Sequence, residues 1–291
     1  MKHLKDIILE KSLINEKLVI NKNTKVNSIP NGTYQPQDYN ELKTIIHDLI
    51  EKYGERVDLN CIDTSDITDM HELFENSKFN GDISEWNVSN VTNMRGIFKD
   101  SNFDGDISNW DVTKVKNMGR MFLNSKFTGE NGDISKWDVS NVTAMYSMFE
   151  DTIFNKDISN WNVSNVKDMS TMFSRSKFNQ DISKWNTKNV NWMNSMFNKS
   201  EFTGDISSWD VSNVETMDYM FCESKFNGDI SKWNTKKVSH FMCMFKNAKN
   251  FYQDLSNWDM SSCKKIGDKK DMFKGSKMDY KKSWQPKLKS Y

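Results

Sequence analysis

Three prolines in 291 residues leave no proline-rich linker. Four cysteines, at 61, 222, 243 and 263, are too few and too scattered for a disulfide framework or a Cys-x-x-Cys metal knuckle, so reduced thiols are expected. No apolar run approaches the roughly 18 residues of a membrane-spanning helix. The opening residues carry acids inside their short apolar stretch and have no small-residue cleavage site, so they do not read as a secretory signal. Leu, Ile, Val and Phe make up 64 of the 291 residues, about 22%, close to the level at which chains stop folding. Against that stand 18 Met, 18 Phe and 10 Trp, and 40 basic residues balanced by 40 acidic ones. That apolar volume at zero net charge belongs to a folded chain.

A repeat accounts for this composition. Trp86, Trp110, Trp137, Trp161, Trp185, Trp209, Trp233 and Trp258 are separated by 24, 27, 24, 24, 24, 24 and 25 residues. The unit reads F-N-x-D-I-S-x-W-(N/D)-V-S-N-V-x-x-M-x-x-M-F-x-x-S, and its Phe recurs nine times from Phe74 to Phe273. Val166, Met169, Met172 and Phe173 fall at i, i+3, i+6 and i+7, the spacing of one face of a short helix, with Ser164 placed as its N-cap. Asp181-Ile182-Ser183-Lys184-Trp185 reads as a short strand. The expected fold class is therefore α/β: a leucine-rich-repeat-like solenoid of about nine coils, each a short strand plus a short helix, with an N-terminal capping helix. The recurring Asp and Ser, such as Asp181 and Ser183, are expected to accept hydrogen bonds from backbone amides at the bends.

The chain divides into four segments. Residues 1–36 form a docking segment and polar linker, and 37–57 a capping helix with Leu42, Ile45, Ile46, Leu49, Ile50 and Tyr53 on one face. Asp38 and Glu41 mark that helix's start and Gly54 its stop. Residues 58–263 form the repeat array. Residues 264–291 form a basic C-terminal cap of ten Lys and three Asp, with Trp284 as a lid.

The D-I-S-x-W-N-V-S-N-V-x-x-M-x-x-M-F phase resembles the BspA-like leucine-rich-repeat family of bacterial surface proteins, over about residues 38–284. The resemblance implies a noncatalytic binding or adhesion role. The opening segment is also similar to the short leaders of some gut-bacteriophage virion proteins.

Chemistry-bearing residues point the same way. His3, His47, His71 and His240 lie in different units or caps without metal spacing, and the repeated Asp lacks the paired glycines of calcium-binding coils. No metal, no cofactor and no catalytic group are expected. Residues 37–263 carry net charge −10, which repels phosphates, so the repeat body is not expected to bind nucleic acid. The strictly recurring Trp is read as core. The residue before it varies, so Glu85, Asn109, Lys136, Asn160, Lys184, Ser208, Lys232 and Asn257 form the expected binding row, a polar one without an aromatic anchor. The Gly129-Glu130-Asn131-Gly132 stretch, which holds the three-residue insertion, is a further candidate contact, expected to bulge outward. Leu4, Ile7, Ile8, Leu13, Leu18 and Ile20 form an apolar docking face. The resulting expectation is a noncatalytic scaffold for protein–protein recognition, made in the cytoplasm and docked through its first residues to a larger assembly such as a bacteriophage virion. The alternative is a surface adhesin binding host protein or glycan.

Overall fold

The computed structural model describes residues 34–287. One α-helix, α1 (Tyr39–Tyr53), precedes the repeats and buries Leu42, Ile46 and Leu49 against the first coil. The Asp38 side chain accepts the Glu41 amide at its N-terminus, and the Glu41 carboxylate accepts the Gln37 amide at 2.8 Å. Gly54 closes the helix at φ 91° with its amide donated to the Ile50 carbonyl.

The expected strand-plus-helix coil is overturned. Among the described residues there is no strand and no sheet, and α1 is the sole α-helix; short 3-10 turns at Ile266–Lys269, Lys277–Tyr280 and Lys282–Trp284 complete the regular structure. The Asp-Ile-Ser-x-Trp stretch is a turn, with the Trp185 amide donating back to the Ile182 carbonyl at 3.2 Å. The stretch read as a helix is a chain of tight turns carrying the contacts between coils. Met169, Thr171, Phe173 and Arg175 donate their amides forward to the carbonyls of Trp192, Asn194, Met196 and Asn198 at 2.7–3.0 Å. The alternate residues Met172, Ser174 and Ser176 donate three residues back, to Met169, Thr171 and Phe173.

Thr171 and Arg175 stand at φ 57° and 55°, and the same four-residue pair recurs from Glu72 and Asn76 to Asp271 and Gly275. Positive φ at the third position is what a type II turn requires. A left-handed residue every fourth position cannot propagate an α-helix. The physical reason for the misreading lies in the amides: a helix would spend all of them internally, whereas the stack sends every second one to the next coil. Ser, Thr, Asn and Asp at the intervening sites favour turns over helix. Isolated parallel bridges mark the ladder from coil to coil through Asp69, Asn93, Asn117, Ala144, Asp168, Trp192, Thr216 and His240, and the first junction carries a second one between Asp58 and Asp82.

The core runs unbroken along the stack. Phe173 and Phe197 stack with centroids 5.7 Å apart, Trp185 and Trp209 at 6.4 Å, and both sets are buried. Each ladder Trp donates its indole Nε1–H to a carbonyl of the preceding coil: Trp161 to Ile134 at 3.0 Å, Trp185 to Ile158 at 3.2 Å, Trp209 to Ile182 at 3.0 Å. That bond distinguishes indole from phenyl at this position: it is a second donor to a carbonyl that also accepts the amide three residues on, as Ile158 does from Trp161 at 3.2 Å.

The recurring Asp accepts the amide two residues on, as between Asp181 Oδ1 and Ser183 N at 2.8 Å, and so do Asp82, Asp106, Asp133, Asp157, Asp205, Asp229 and Asp254. The serine's part in this bend is the donated amide. The Asn or Asp after each Trp makes a second bend of the same kind, for example Asp210 with Ser212 at 2.9 Å. A different serine is buried: Ser176 Oγ donates to the Phe173 carbonyl at 2.9 Å and accepts the Phe178 amide.

These bends set the response to acid. The serine amide two residues on is the leading cause that holds the carboxyls of Asp133, Asp181, Asp205 and Asp229 below their ordinary value of 3.8. A depressed folded value means a contribution complete above the unfolded value and lost as pH falls through the folded one. Asp218, pushed up by burial, acts in the opposite sense as a single group. Thermal melts should therefore show a midpoint that is flat from about pH 7 to 5 and falls below about pH 4, where unfolded carboxyls protonate. A midpoint unchanged down to pH 3 would contradict this role for the bends.

Candidate recognition surface

Buried residues fix which positions face out. On either side of each bridge residue the chain is anchored by core groups, Val190 and Met193 flanking Trp192, so the bridge residue and the one two positions on line an outer face. Here the repeat relaxes. Trp192 occupies the bridge position, seven residues after the core Trp185, and 42% of its surface is exposed. Its amide and its carbonyl are both held by the preceding coil, the amide by the Lys167 carbonyl at 3.2 Å and the carbonyl by the Met169 amide at 3.0 Å.

Other aromatic side chains join it. The Tyr146 ring lies on Gly119, where an added Cβ would come within 2.4 Å of the ring, and the Arg120 guanidinium sits 5.6 Å from the ring centroid. Tyr39 of α1 stacks on His71 at 4.5 Å. Tyr219, three positions beyond the Thr216 bridge, is half-buried, and burial pushes its phenol up, keeping it neutral. Between the aromatics lie hydrogen-bonding groups: Asn194 Oδ1 accepts from Ser170 Oγ at 2.8 Å, and His240 Nδ1 meets Ser239 Oγ at 2.8 Å. Charges of both signs lie along this face, Asp69, Arg95, Lys116, Arg120, Lys167 and Asp168 in the earlier coils and Glu215 and Asp218 in the later ones, and Arg95 pairs with Glu72 at 2.7 Å.

The row expected from sequence sits elsewhere. Glu85, Asn109, Lys136, Asn160, Lys184, Ser208, Lys232 and Asn257 are all exposed, at the Asp-Ile-Ser-x-Trp turns. Two of them are drawn together: Ser208 and Lys232 line a shallow polar concavity of about 520 Å³ with Asp205 and Asp229. Lys136, Lys184 and Lys232 lie close enough to Asp133, Asp181 and Asp229 to stabilise those carboxylates. The 129–132 insertion is tied to the body: Asn131 Nδ2 donates to the Asp104 carbonyl at 2.7 Å and Glu130 pairs with Lys156 at 2.6 Å, while Gly132 is buried. Leu4, Ile7, Ile8, Leu13, Leu18 and Ile20 lie outside the described residues.

The reactive groups are dispersed. Burial is the main force that raises the thiols of Cys61, Cys222 and Cys263 to about 11, so they are protonated at neutral pH and are neither nucleophiles nor thiolate ligands there. Among the described residues, His47, Asp48 and Glu51 bring ligand atoms within 4.8 Å of one another on α1. None of the three is buried, and His47 and Glu51 form an ordinary i,i+4 surface pair at 3.9 Å.

No helix among the described residues is long and apolar enough to cross a membrane. No curated protein and no solved structure matches the chain. A repeat family described as Mycoplasma protein of unknown function, DUF285, matches residues 44–151, 125–201 and 175–284. Those three overlapping stretches take in most of the sequence, with the whole ladder of Trp and Met-Phe rungs inside them, and the chain belongs to that family.

Proposed function

We propose that this chain is a noncatalytic scaffold for protein–protein recognition that holds its partner on the bridge face around Trp192. One observation carries the reading: an indole stands half out of a face that it shares with Tyr146 and with hydrogen-bonding and charged residues such as Asn194, Ser170 and Asp218. An exposed Trp in a polar rim is the residue type most enriched among the groups that dominate protein contacts. Protonated thiols and scattered histidines favour binding over catalysis. The BspA-like resemblance of the repeat agrees with a binding role, and the first 20 residues are proposed to dock the scaffold to a larger assembly of the virion type.

Trp192→Ala tests the surface. The variant should keep the thermal midpoint to within what about 0.5 kcal/mol moves, as for an ordinary surface change. Partner affinity should fall at least tenfold. A photo-crosslinking residue at 192 in the native assembly should capture a polypeptide, while the same residue at 184 should not. Crosslinks confined to 184, or an oligosaccharide that protects the Trp192 indole in place of a polypeptide, would overturn the proposal.

A further inference from the structure

We propose that the C-terminal edge of the array receives an extended acidic polypeptide segment as one more rung. The inference follows from where the forward-pointing amides end. At the last junction Cys243, Phe245 and Asn247 donate to the carbonyls of Lys270, Met272 and Lys274 at 2.8–2.9 Å. The final coil repeats their geometry: Met272, Lys274 and Ser276 donate three residues back, and Asp271 and Gly275 are left-handed at φ 55° and 75°. The amides of Asp271, Phe273 and Gly275 therefore point outward, and the described residues beyond them form 3-10 turns in place of another coil.

One of the three shows what this edge accepts. Gly275 N donates to the Asp279 carboxylate at 3.0 Å, so an anionic oxygen stands in for the missing carbonyl. Among the described residues the amides of Asp271 and Phe273 have no acceptor. Their spacing, two residues apart, is that of the amides that join every internal pair of coils. Backbone carbonyls of an extended segment fit this row.

Charge selects the segment. Lys249, Tyr252, Gly275, Ser276, Lys277 and Tyr280 line an open concavity of about 530 Å³ beside the edge, and Tyr280 is 90% exposed. Lys270, Lys274 and Lys282 are exposed close by in sequence, and residues 264–291 carry ten Lys against three Asp. Two such edges would repel each other and offer donors to donors. The opposite end of the array is covered by α1, whose Leu42, Ile46 and Leu49 are buried there and whose Tyr39 lies on His71. A second copy therefore fits neither end, and an acidic chain fits this one.

The full chain is titrated with acetyl-(Glu-Ser)5-amide while backbone amide exchange is followed by NMR. Slowed exchange at Asp271 and Phe273 is expected, absent with (Lys-Ser)5, together with an affinity that falls at least tenfold in a Lys270→Glu, Lys277→Glu variant of unchanged melting temperature. Unchanged exchange at those two amides would overturn the proposal, as would binding indifferent to the charge reversal. So would protection that appears without peptide as concentration rises, which assigns the edge to a second copy. The same protection by a ten-nucleotide oligo-dT would assign it to phosphate.

Discussion

Trp185→Ala is expected to lower the unfolding free energy by about 3–5 kcal/mol, the range for truncating a buried Trp. Three losses combine there. The indole is buried, it stacks 6.4 Å from Trp209 and lies tilted 6.2 Å from Phe173, and its Nε1–H bridges to the preceding coil at Ile158. Trp185→Phe separates them, because it retains an aromatic ring and removes the donor. The Ile158 carbonyl keeps its other bond, from the Trp161 amide at 3.2 Å, so the phenyl variant should lose about 1 kcal/mol for the hydrogen bond plus a smaller packing loss. Urea denaturation of both variants checks the order. An alanine variant as stable as the parent would show that the indoles are not rungs of a shared core.

Excision tests the period itself. Removing residues 168–191 joins Lys167 to Trp192, which takes the place of Asp168, its counterpart on the same ladder, so every later coil meets an equivalent neighbour. That variant should fold with one cooperative transition and a smaller denaturant slope, because less surface is exposed on unfolding. Removing only 168–179 joins Lys167 to Gln180 and places turns opposite rungs throughout the rest of the stack. Loss of the single cooperative transition is expected, since each coil depends on the interface with its neighbours. Identical circular-dichroism melts for the two deletions would refute the stacked arrangement.

Much of this was legible in the sequence, and the limit has a physical cause. The period, the buried Trp and Met-Phe rungs, and the Asp-made bends follow from side-chain chemistry repeated at a fixed interval. The path of the backbone within a coil does not. Val166, Met169, Met172 and Phe173 advance by three and four residues in a helix, and equally in successive tight turns with left-handed third positions. What separates the two is the destination of the Met169, Thr171 and Phe173 amides, which depends on a coil 24 residues away. Ser164 illustrates the same point: placed as a helix cap, it lies in a bend, donating its amide to Asn162 Oδ1 at 3.2 Å.

The recognition surface had a partial signal. The residues before each Trp are exposed, as their variability indicated. Trp192 was visible as an indole out of phase with the eight of the ladder, but a helical reading of its surroundings concealed that it shares a face with Tyr146. Aromatic residues in a varying row identify such a face only when the ladder that carries the row is known.

The joining of each coil only to its immediate neighbours also determines how the molecule would yield to a pulling force. Tension applied through the two termini loads these bonds one junction at a time, in peeling rather than in concerted shear. Each detached coil of 24 residues would lengthen the chain by up to about 80 Å, at roughly 3.3–3.6 Å per residue. A protein tethered at one end and gripped at the other would pay out slack in regular steps while its remaining coils stayed folded.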